Sequence, residues 1–456
     1  MKKGGIYLPI HSLPSKHGVG GFEEVHKFIT FMTTAQQKYW QILPLNPVSL
    51  EQQFCVTSVF AGNPLYVDFK QLVDNGLIKQ KDYDNWCKRD DVNWQFALQR
   101  ANQLMFYAFK TFTREQPPKE YLDFVLQNKN WLSDYCLFKA LKGHFTDASW
   151  DKWPDKDIQK HTPQAVEYYT DLLSDEIDLY KFEQFVFYSQ WQAIRQKLHD
   201  KSIMIVGTLP FYVAFDSADC WAHQDLFLLK EDCTPKVLVN AFGRPVAYDW
   251  KAMRQSGFEW WLQRADHSRH LYDMTVVQDF AHFYQYPVYG KKAKAKADWS
   301  IVPKLTQQHS VLIAEDYSNK KIARLIHKQK GLYTTTAQQQ AFVPSGARHK
   351  IANHKENSIA YLGTNHTNLV YDWFFCLDKK TQNKVLREIN VATGEKLSWS
   401  FVKYLYSSKA IAMVSMNELS NNVTNQYATI WQYMAQNKDF SAENAEKLKF
   451  VGTHVQ

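Results

Sequence analysis

Glycine, cysteine pairs and long apolar runs are all scarce in this 456-residue sequence. Only 17 residues are glycine, and neither a GxGxxG nor a GxxxxGK(S/T) motif occurs, so the phosphate-binding loops of nucleotide-binding folds are not indicated. The six cysteines form no CxxC pair and have no metal-ligand spacing, so we expect reduced thiols and no metal site. No apolar stretch reaches 18 residues, and the first one breaks at Pro9, so neither a membrane span nor a signal peptide is predicted. These absences favour a cytoplasmic protein.

The positive net charge does not by itself indicate a nucleic-acid-binding protein. Lysine and arginine number 54 against 46 acidic residues, which gives a formal net charge of +8. The positive charges are scattered, and the only dense run, residues 291–296, alternates with alanine as a solvated loop would. No zinc-finger spacing, RRM signature or basic region with heptads accompanies this run. We therefore expect no nucleic-acid partner, and salt-dependent binding to unrelated DNA would contradict this expectation.

Aromatic residues are the unusual component, at 15% of the chain. The rest of the composition, with 45% hydrophobic and 22% charged residues, is that of a folded globular protein. Large aromatic side chains mostly fill cores, but they also form flat surfaces on which sugar rings stack. Their excess therefore raises a carbohydrate-binding hypothesis without deciding it.

Short apolar runs alternate with longer helical patterns along most of the chain, which is the order expected of βα units. The six clearest runs are residues 39–43, 203–206, 274–277, 311–314, 359–362 and 410–414. At least six parallel strands favour an α/β fold of the (β/α)8 TIM-barrel class over a small open sheet. Between about Asp68 and Asp178 the pattern is almost wholly helical. We therefore expect one barrel domain over residues 1–456 with a mainly helical insertion at 68–178.

Seven short segments at or near the predicted strand ends have distinctive sequences. They are SLPS and GVG within residues 12–20, YWQILPL at 39–45, FAGNPL at 60–65, LPFYVA and DSADCWA within 209–222, and IAED at 313–316. Their sequences and their order resemble those of the amylomaltases, the 4-alpha-glucanotransferases of glycoside hydrolase family 77, over nearly the whole chain. The resemblance implies a barrel that cleaves an α-1,4-glucan and passes the glycosyl group to the 4-hydroxyl of another sugar, without a cofactor. A maltooligosaccharide or another α-glucan is then the expected ligand.

The family's retaining chemistry needs three carboxylates at the carboxyl ends of barrel strands. One Asp attacks the anomeric carbon, a Glu protonates the leaving oxygen and later deprotonates the acceptor, and a second Asp holds the distorted sugar ring. Glu315 directly follows the buried run 311–314 and matches the family's general acid/base. A structural role, in which Glu315 only pairs with a neighbouring cation, is the alternative.

The position of the family's nucleophilic Asp holds a neutral residue in the direct alignment. Counting without a gap between Trp261 and Phe280 places Gln278 there. A carboxamide is a very weak nucleophile and adds no negative charge to an oxocarbenium-like transition state, so Gln278 is interpreted as a hydrogen-bonded polar filler. Asp279 is the alternative nucleophile. Because a one-residue slip turns a strand side chain to the other face, Asp279 would need a bulge at the strand end to reach the lumen.

The third carboxylate is missing as well. Residues 361–364 keep the family's Tyr-x-Gly-Thr, but in either register the position of the following Asp holds His366 or Thr367. A lone histidine at such a place is more often a hydrogen-bonded pocket residue than a ligand or base. Thr208 also replaces an Asp of the family. The substitutions are therefore concentrated at the active-site loops.

Five further positions match family sequence near the sugar-binding cleft. Phe54 stands where the family has a Tyr that stacks on a glucose ring, so a ring face is kept and a hydroxyl is lost. Asn63, Asp216, Ser217 and Asp219 lie in the matching loops. We predict that these residues bind substrate. For Asp216 and Asp219 the structural alternative is a side-chain turn or a helix cap.

Two functions follow from this pattern. The one that the sequence favours is a non-transferring relative, a pseudoenzyme that binds an α-glucan, another ligand or a protein partner. It is favoured because losing catalytic groups that act as a unit can cost on the order of 10⁶ in turnover. The alternative is an active 4-alpha-glucanotransferase with Asp279 as nucleophile and Glu315 as acid/base. Formation of glucose and longer oligomers from maltotriose would contradict the first function.

Overall fold

Eight parallel strands close into a barrel in the computed structural model, which describes residues 3–16, 18–49, 52–87, 94–239, 245–291, 294–308, 311–315, 320–344, 346–363, 369–391, 396–419 and 434–454. The barrel strands are β1 (Gly4–Tyr7), β2 (Tyr39–Gln41), β3 (Met204–Leu209), β4 (Met274–Val277), β5 (Leu312–Ala314), β6 (Leu332–Ala337), β7 (Ser358–Tyr361) and β8 (Ile411–Ser415). Each pairs in parallel with the strands before and after it in the chain, and β8 pairs with β1. The predicted (β/α)8 fold is confirmed.

Helices surround this barrel. Within the described residues the α-helices are Val25–Thr34, Phe69–Asp74, Gln80–Cys87, Trp94–Phe112, Lys119–Gln127, Lys129–His144, Lys156–Gln159, Pro163–Leu172, Ser174–Asp200, Ala218–Ala222, Trp250–Gln255, Glu259–Leu271, Ile301–Gln308, Lys320–Lys328, Val370–Phe375, Lys379–Ile389, Leu397–Tyr406, Met416–Leu419 and Ala442–His454. Two antiparallel ribbons, Val48–Ser49 with Gln52–Val56 and Gln285–Tyr286 with Ala295–Lys296, lie outside the barrel.

The chain between β2 and β3 is mainly helical and ends in the 27-residue helix Ser174–Asp200, which leads directly into β3. The predicted end of the insertion at Asp178 falls inside this helix. We keep the division into one barrel domain with an insertion at 68–178 as a proposal.

The six predicted apolar runs correspond to β2, β3, β4, β5, β7 and β8, with bounds that differ by a few residues. The sequence analysis missed β1 and β6. The strand β1 opens with two glycines and β6 contains three consecutive threonines, so neither stands out as an apolar run. Both strands are nevertheless largely buried, because each is paired on both sides within the closed barrel.

Two hydrogen bonds fix which side chains face the lumen. Tyr361 on β7 donates to Oε1 of Gln41 on β2 at 2.7 Å, and because these strands are not neighbours, both side chains lie inside the barrel. Thr275 on β4 donates to Ser268 of the helix Glu259–Leu271 at 3.3 Å, so this side chain faces the helical layer. Because strand side chains alternate, the residues next to Thr275 face the lumen.

Aromatic side chains fill much of the space between the barrel and its helices. The fully buried tryptophans include Trp40, Trp150, Trp153, Trp191, Trp221 and Trp261. Packing is close enough that Gly207 on β3 is required where the ring of Tyr272 crosses it, since a Cβ there would lie 2.1 Å from a ring carbon. A large part of the aromatic excess seen in the sequence therefore forms core.

Candidate active site at the carboxyl end of the barrel

The carboxyl ends of β4 and β5 bring Gln278 and Glu315 together at the lumen. The parallel ladder pairs Val277 with Ala314 and continues beyond them, because Glu315 N–H donates to the Val277 carbonyl at 3.2 Å. On the other side of β4, Gln278 N–H donates to the Leu209 carbonyl at 3.2 Å. Gln278 and Glu315 thus stay in strand register, and alternation directs both side chains to the lumen.

Asp279 is the first residue after β4 that leaves the strand conformation. Its φ of 49° and ψ of 36° are left-handed, and the 3-10 helix Phe280–Phe283 begins directly after it. Phe280 N–H donates to the Glu315 carbonyl at 3.3 Å, so the turn folds over the end of β5. The bulge that the sequence analysis required is not seen in the described β4 pairings, and a left-handed residue takes its place. Because Asp279 has left the strand conformation, strand alternation no longer requires its exposed side chain to point away from the lumen.

The negative charge of Asp279 acts on groups to both sides of β4. Burial raises the pKa of Glu315 to about 8, and the Asp279 charge adds to this shift. Burial, the neighbouring Tyr248 and then the Asp279 charge also raise the pKa of Tyr212, which follows β3. Such like-charge effects need short separations. The charge of Asp279 is therefore near enough to both groups to act on their titration.

The raised pKa keeps the Glu315 carboxyl group mostly protonated at neutral pH. A carboxyl group with a pKa of about 8 is mostly protonated at pH 7, whereas one at the ordinary value of 4.5 is almost fully ionised. Glu315 is also partly accessible to solvent, as a group that must reach a substrate has to be. A protonated and a neighbouring unprotonated carboxyl group are the arrangement that acid catalysis of glycosyl transfer uses.

Several polar and aromatic residues around this pair were not singled out in the sequence. Tyr361 is bonded to Gln41 in the lumen, and burial followed by the charge of Glu315 raises its pKa, so its hydroxyl stays neutral beside the acid. The ring of Tyr212 lies 5.6 Å from that of His282, and its buried hydroxyl has no partner within the part of the chain described. An aromatic residue directly after a strand end was the signal that could have identified Tyr212.

Comparison with known proteins shows which family the chain belongs to. The sequence model of glycoside hydrolase family 77, described as 4-alpha-glucanotransferase, matches residues 8–435. The chain belongs to this family. The 4-alpha-glucanotransferase of Clostridium butyricum is 29% identical over 97% of this chain and 98% of its own length, and that of Aquifex aeolicus is 28% identical over 92% and 91%. The amylomaltase of Streptococcus agalactiae, solved in complex with acarbose, superposes with a TM-score of 0.89 at 26% identity and covers 99% of both chains.

These comparisons confirm the predicted family and favour one of the two functions. The similar proteins carry the name of an active transferase and span nearly the same length as this family 77 member. They therefore support the active enzyme better than the pseudoenzyme that the sequence analysis preferred. The acarbose complex of the similar amylomaltase also supports an α-glucan as the class of ligand.

Four of the residues expected to bind sugar in this family 77 chain are engaged in protein contacts. Asn63 Oδ1 accepts from Leu65 N–H at 3.1 Å and caps a 3-10 helix, and Asp219 accepts from Val59 N–H at 2.8 Å. The remaining contacts are Ser217 Oγ with Cys220 N–H at 3.1 Å and Asp216 with Lys142 Nζ at 2.7 Å. The Asn63 and Ser217 contacts cap helices, the Asp216 contact joins the insertion to the barrel, and the Asp219 contact joins two segments distant in the chain. Their role in sugar binding stays a prediction.

The other predicted residues are only partly covered. Phe54 lies in the ribbon strand Gln52–Val56, but its side chain is outside the described part, and His366 falls in the segment 364–368, which is not described. Thr208 faces the lumen and donates to the Ile42 carbonyl at 2.8 Å. At this position the chain thus has a hydroxyl that is bonded to the residue directly after β2.

Over the described residues there is no group of three or more His, Cys, Asp or Glu side chains that could hold a metal ion. None of the described helices has both the length and the apolar character needed to cross a bilayer. All six cysteines are free.

Proposed function

We propose that this chain is a retaining 4-alpha-glucanotransferase in which Glu315 is the general acid/base and Asp279 is the nucleophile. The observation that carries the proposal is that the turn at Asp279 folds over the end of β5, where Phe280 N–H donates to the Glu315 carbonyl at 3.3 Å. Retaining glycosidases hold their two carboxyl groups about 5 Å apart. Neighbouring strands are about 4.8 Å apart, so carboxyl groups at adjacent strand ends have the right separation in order of magnitude.

The two carboxyl groups supply each step of the transfer. Glu315 gives its proton to the glycosidic oxygen while an Asp279 oxygen bonds to the anomeric carbon, and the leaving sugar departs with a free 4-hydroxyl. The 4-hydroxyl of a second glucan then gives its proton to Glu315 and displaces Asp279 from the anomeric carbon. Two inversions retain the α-configuration, and both carboxyl groups return to their starting states. The scheme consumes only the donor and acceptor glucans.

In this proposal the left-handed turn takes Asp279 out of the strand alternation that would otherwise direct its side chain away from the lumen. The conformation does not by itself mark a functional residue, because nine described non-glycine residues of this chain have a positive φ. Asp tolerates this conformation better than most residues do. The turn projects the carboxyl group beyond the strand ends, where a bound glucan would be accessible to it.

A second function is favoured by one specific observation, the carboxamide of Gln278 in strand register beside Glu315. If attack requires a carboxylate at this strand position, the chain binds α-glucans without transferring them. A protein partner belongs to this second function only. In either case we propose a cytoplasmic location, for which the six free cysteines are the support.

Incubation with maltotriose tests the proposal. The unmodified protein is expected to form glucose and longer oligomers, and Asp279→Asn and Glu315→Gln to lose this activity by a factor on the order of 10⁴ or more. The matched control Gln278→Asn changes a neighbouring amide by one methylene group and is expected to keep most of the rate.

The opposite pattern supports the second function. An inactive protein that gains activity through Gln278→Asp, with no effect of Asp279→Asn, would refute Asp279 as the nucleophile. Binding of maltooligosaccharides, measured by calorimetry on the same variants, shows whether an inactive variant still holds its ligand.

A further inference from the structure

A small cavity lies on the outer side of β6 and β7, away from the lumen. Its volume is about 110 Å³. It is bounded by the helix Lys320–Lys328, the two strands and the 3-10 turns that precede β7, and its lining residues include Thr336, His327, Arg348, Lys355 and Ser358. Because Tyr361 and its strand partner Ala337 face the lumen, Thr336 faces outward. The cavity is thus separated from the active site by the barrel wall.

The lining contains one buried hydroxyl group that the described protein does not satisfy. Thr336 is only 8% exposed, and its Oγ1 has no hydrogen-bond partner within the described ranges. A buried hydroxyl without a partner costs about 1–3 kcal/mol, so a ligand or water is expected to occupy the space next to it. By contrast, Ser358 donates to the Lys355 carbonyl at 2.6 Å and Asn353 to the Ala347 carbonyl at 2.7 Å, and these bonds shape the loop.

The charged side chains in the described lining, Arg348 and Lys355, are both positive. Burial lowers the pKa of His327, and the charges of Lys355 and Arg348 lower it further. No carboxylate is found in the lining that the described residues provide. Arg348 donates its Nε–H to His349, which orients the guanidinium group. Tetrahedral oxyanions accept hydrogen bonds from such groups, a planar guanidinium, an ammonium group and a hydroxyl.

We propose that this cavity is a binding site for a phosphate group, held by Arg348, Lys355 and the Thr336 hydroxyl. The cavity is small, at about 110 Å³, which suits one tetrahedral anion but not a glucan chain. The group is either free inorganic phosphate or the phosphoryl end of a sugar phosphate whose sugar projects from the cavity. The site is distinct from the glucan site.

Calorimetry and NMR on the full chain at about 0.15 M salt test this proposal with inorganic phosphate as the probe. Saturable binding is expected, and the bound anion is expected to raise the pKa of His327, because it favours the imidazolium form. Thr336→Val, which keeps the side-chain shape, is expected to weaken binding about tenfold, and Arg348→Gln by more, since each removes a bond to a charged group. The matched control Lys350→Gln removes one positive charge from the same exposed loop but not from the lining, and is expected to leave the affinity nearly unchanged.

A second titration with glucose 1-phosphate separates the two sources of the phosphate group. Tighter binding than inorganic phosphate identifies a sugar phosphate, and weaker binding identifies the free anion. Equal weakening by Thr336→Val, Arg348→Gln and Lys350→Gln would mean unspecific charge attraction and would overturn the proposal. So would a His327 pKa that does not respond to phosphate. Thermal unfolding of each variant verifies folding, and if Arg348→Gln does not fold, the isosteric Thr336→Val alone decides.

Discussion

The transfer rate is expected to fall as the pH rises through about 8, because the reaction needs protonated Glu315. With a pKa of about 8, Glu315 is about 90% protonated at pH 7 and about 10% at pH 9. At the ordinary value of 4.5 the protonated fraction at pH 7 would be about 0.3%. The environment of Glu315 therefore supplies about 300-fold more of the acid form at neutral pH, and the rate should drop about tenfold between pH 7 and pH 9.

Initial rates of glucose release from maltotriose between pH 5 and pH 10 measure this dependence. A direct titration is also needed, because burial raises the pKa of Glu24 and Glu183 to about 7 and that of Glu418 to about 8. The infrared carboxyl band of the unmodified protein minus that of Glu315→Gln isolates the one group.

Asp279→Asn gives the second half of the test. Removing the Asp279 charge is expected to lower the pKa of Glu315, since this charge adds to the effect of burial. The reasoning is refuted if the isolated Glu315 band titrates near 4.5, or if the band does not move when Asp279 is neutralised. The first result would mean that burial does not raise this pKa, and the second that the two carboxyl groups do not share one site.

Three further experiments test the structure around the site. Glu418→Gln should raise the melting temperature at pH 9 but not at pH 5. The pKa of Glu418 is about 8 in the folded state and 4.5 in the unfolded state, so the folded protein loses stability as the pH rises between these values, and the neutral amide avoids this loss. Gly207→Ala should destabilise the protein by about 2 kcal/mol or more in urea unfolding, since its Cβ would meet an aromatic ring, whereas Gly143→Ala, with open space around it, should cost nothing. Asp216→Asn and Lys142→Gln should show a coupling of about 1 kcal/mol in a double-mutant cycle and leave KM for maltotriose unchanged; an increased KM would instead support sugar binding by Asp216.

The strand ends that carry chemistry were predictable because βα units repeat a simple pattern. The run before Glu315 is wholly apolar, which predicts the strand β5. The strand β4 is continuous, so counting along β4 predicts that Gln278 faces the lumen. The two missed strands lack this pattern. In β1, Gly5 stands where a Cβ would lie 2.6 Å from Tyr39, so close strand packing selected glycine over an apolar residue.

The conformation of Asp279 could not be read from the sequence. Strand alternation holds only while residues keep extended backbone angles. The residue types around position 279 do not indicate where the extended conformation ends. The roles of Asp216 and Asp219 were ambiguous for a related reason. Whether a loop carboxylate meets a sugar or an N–H group depends on segments distant in the chain, here Lys142 and Val59.

The left-handed backbone at Asp279 also bears on how this position can change over evolutionary time. Asparagine and glycine adopt such angles as readily as aspartate, so drift to either would leave folding untouched. Natural selection for a stable barrel therefore does not preserve the carboxyl group of Asp279. If orthologues keep aspartate at this point while their surface loops diverge, the reason must be the reaction, and a mixture of asparagine and glycine there would mark lineages in which turnover has ceased.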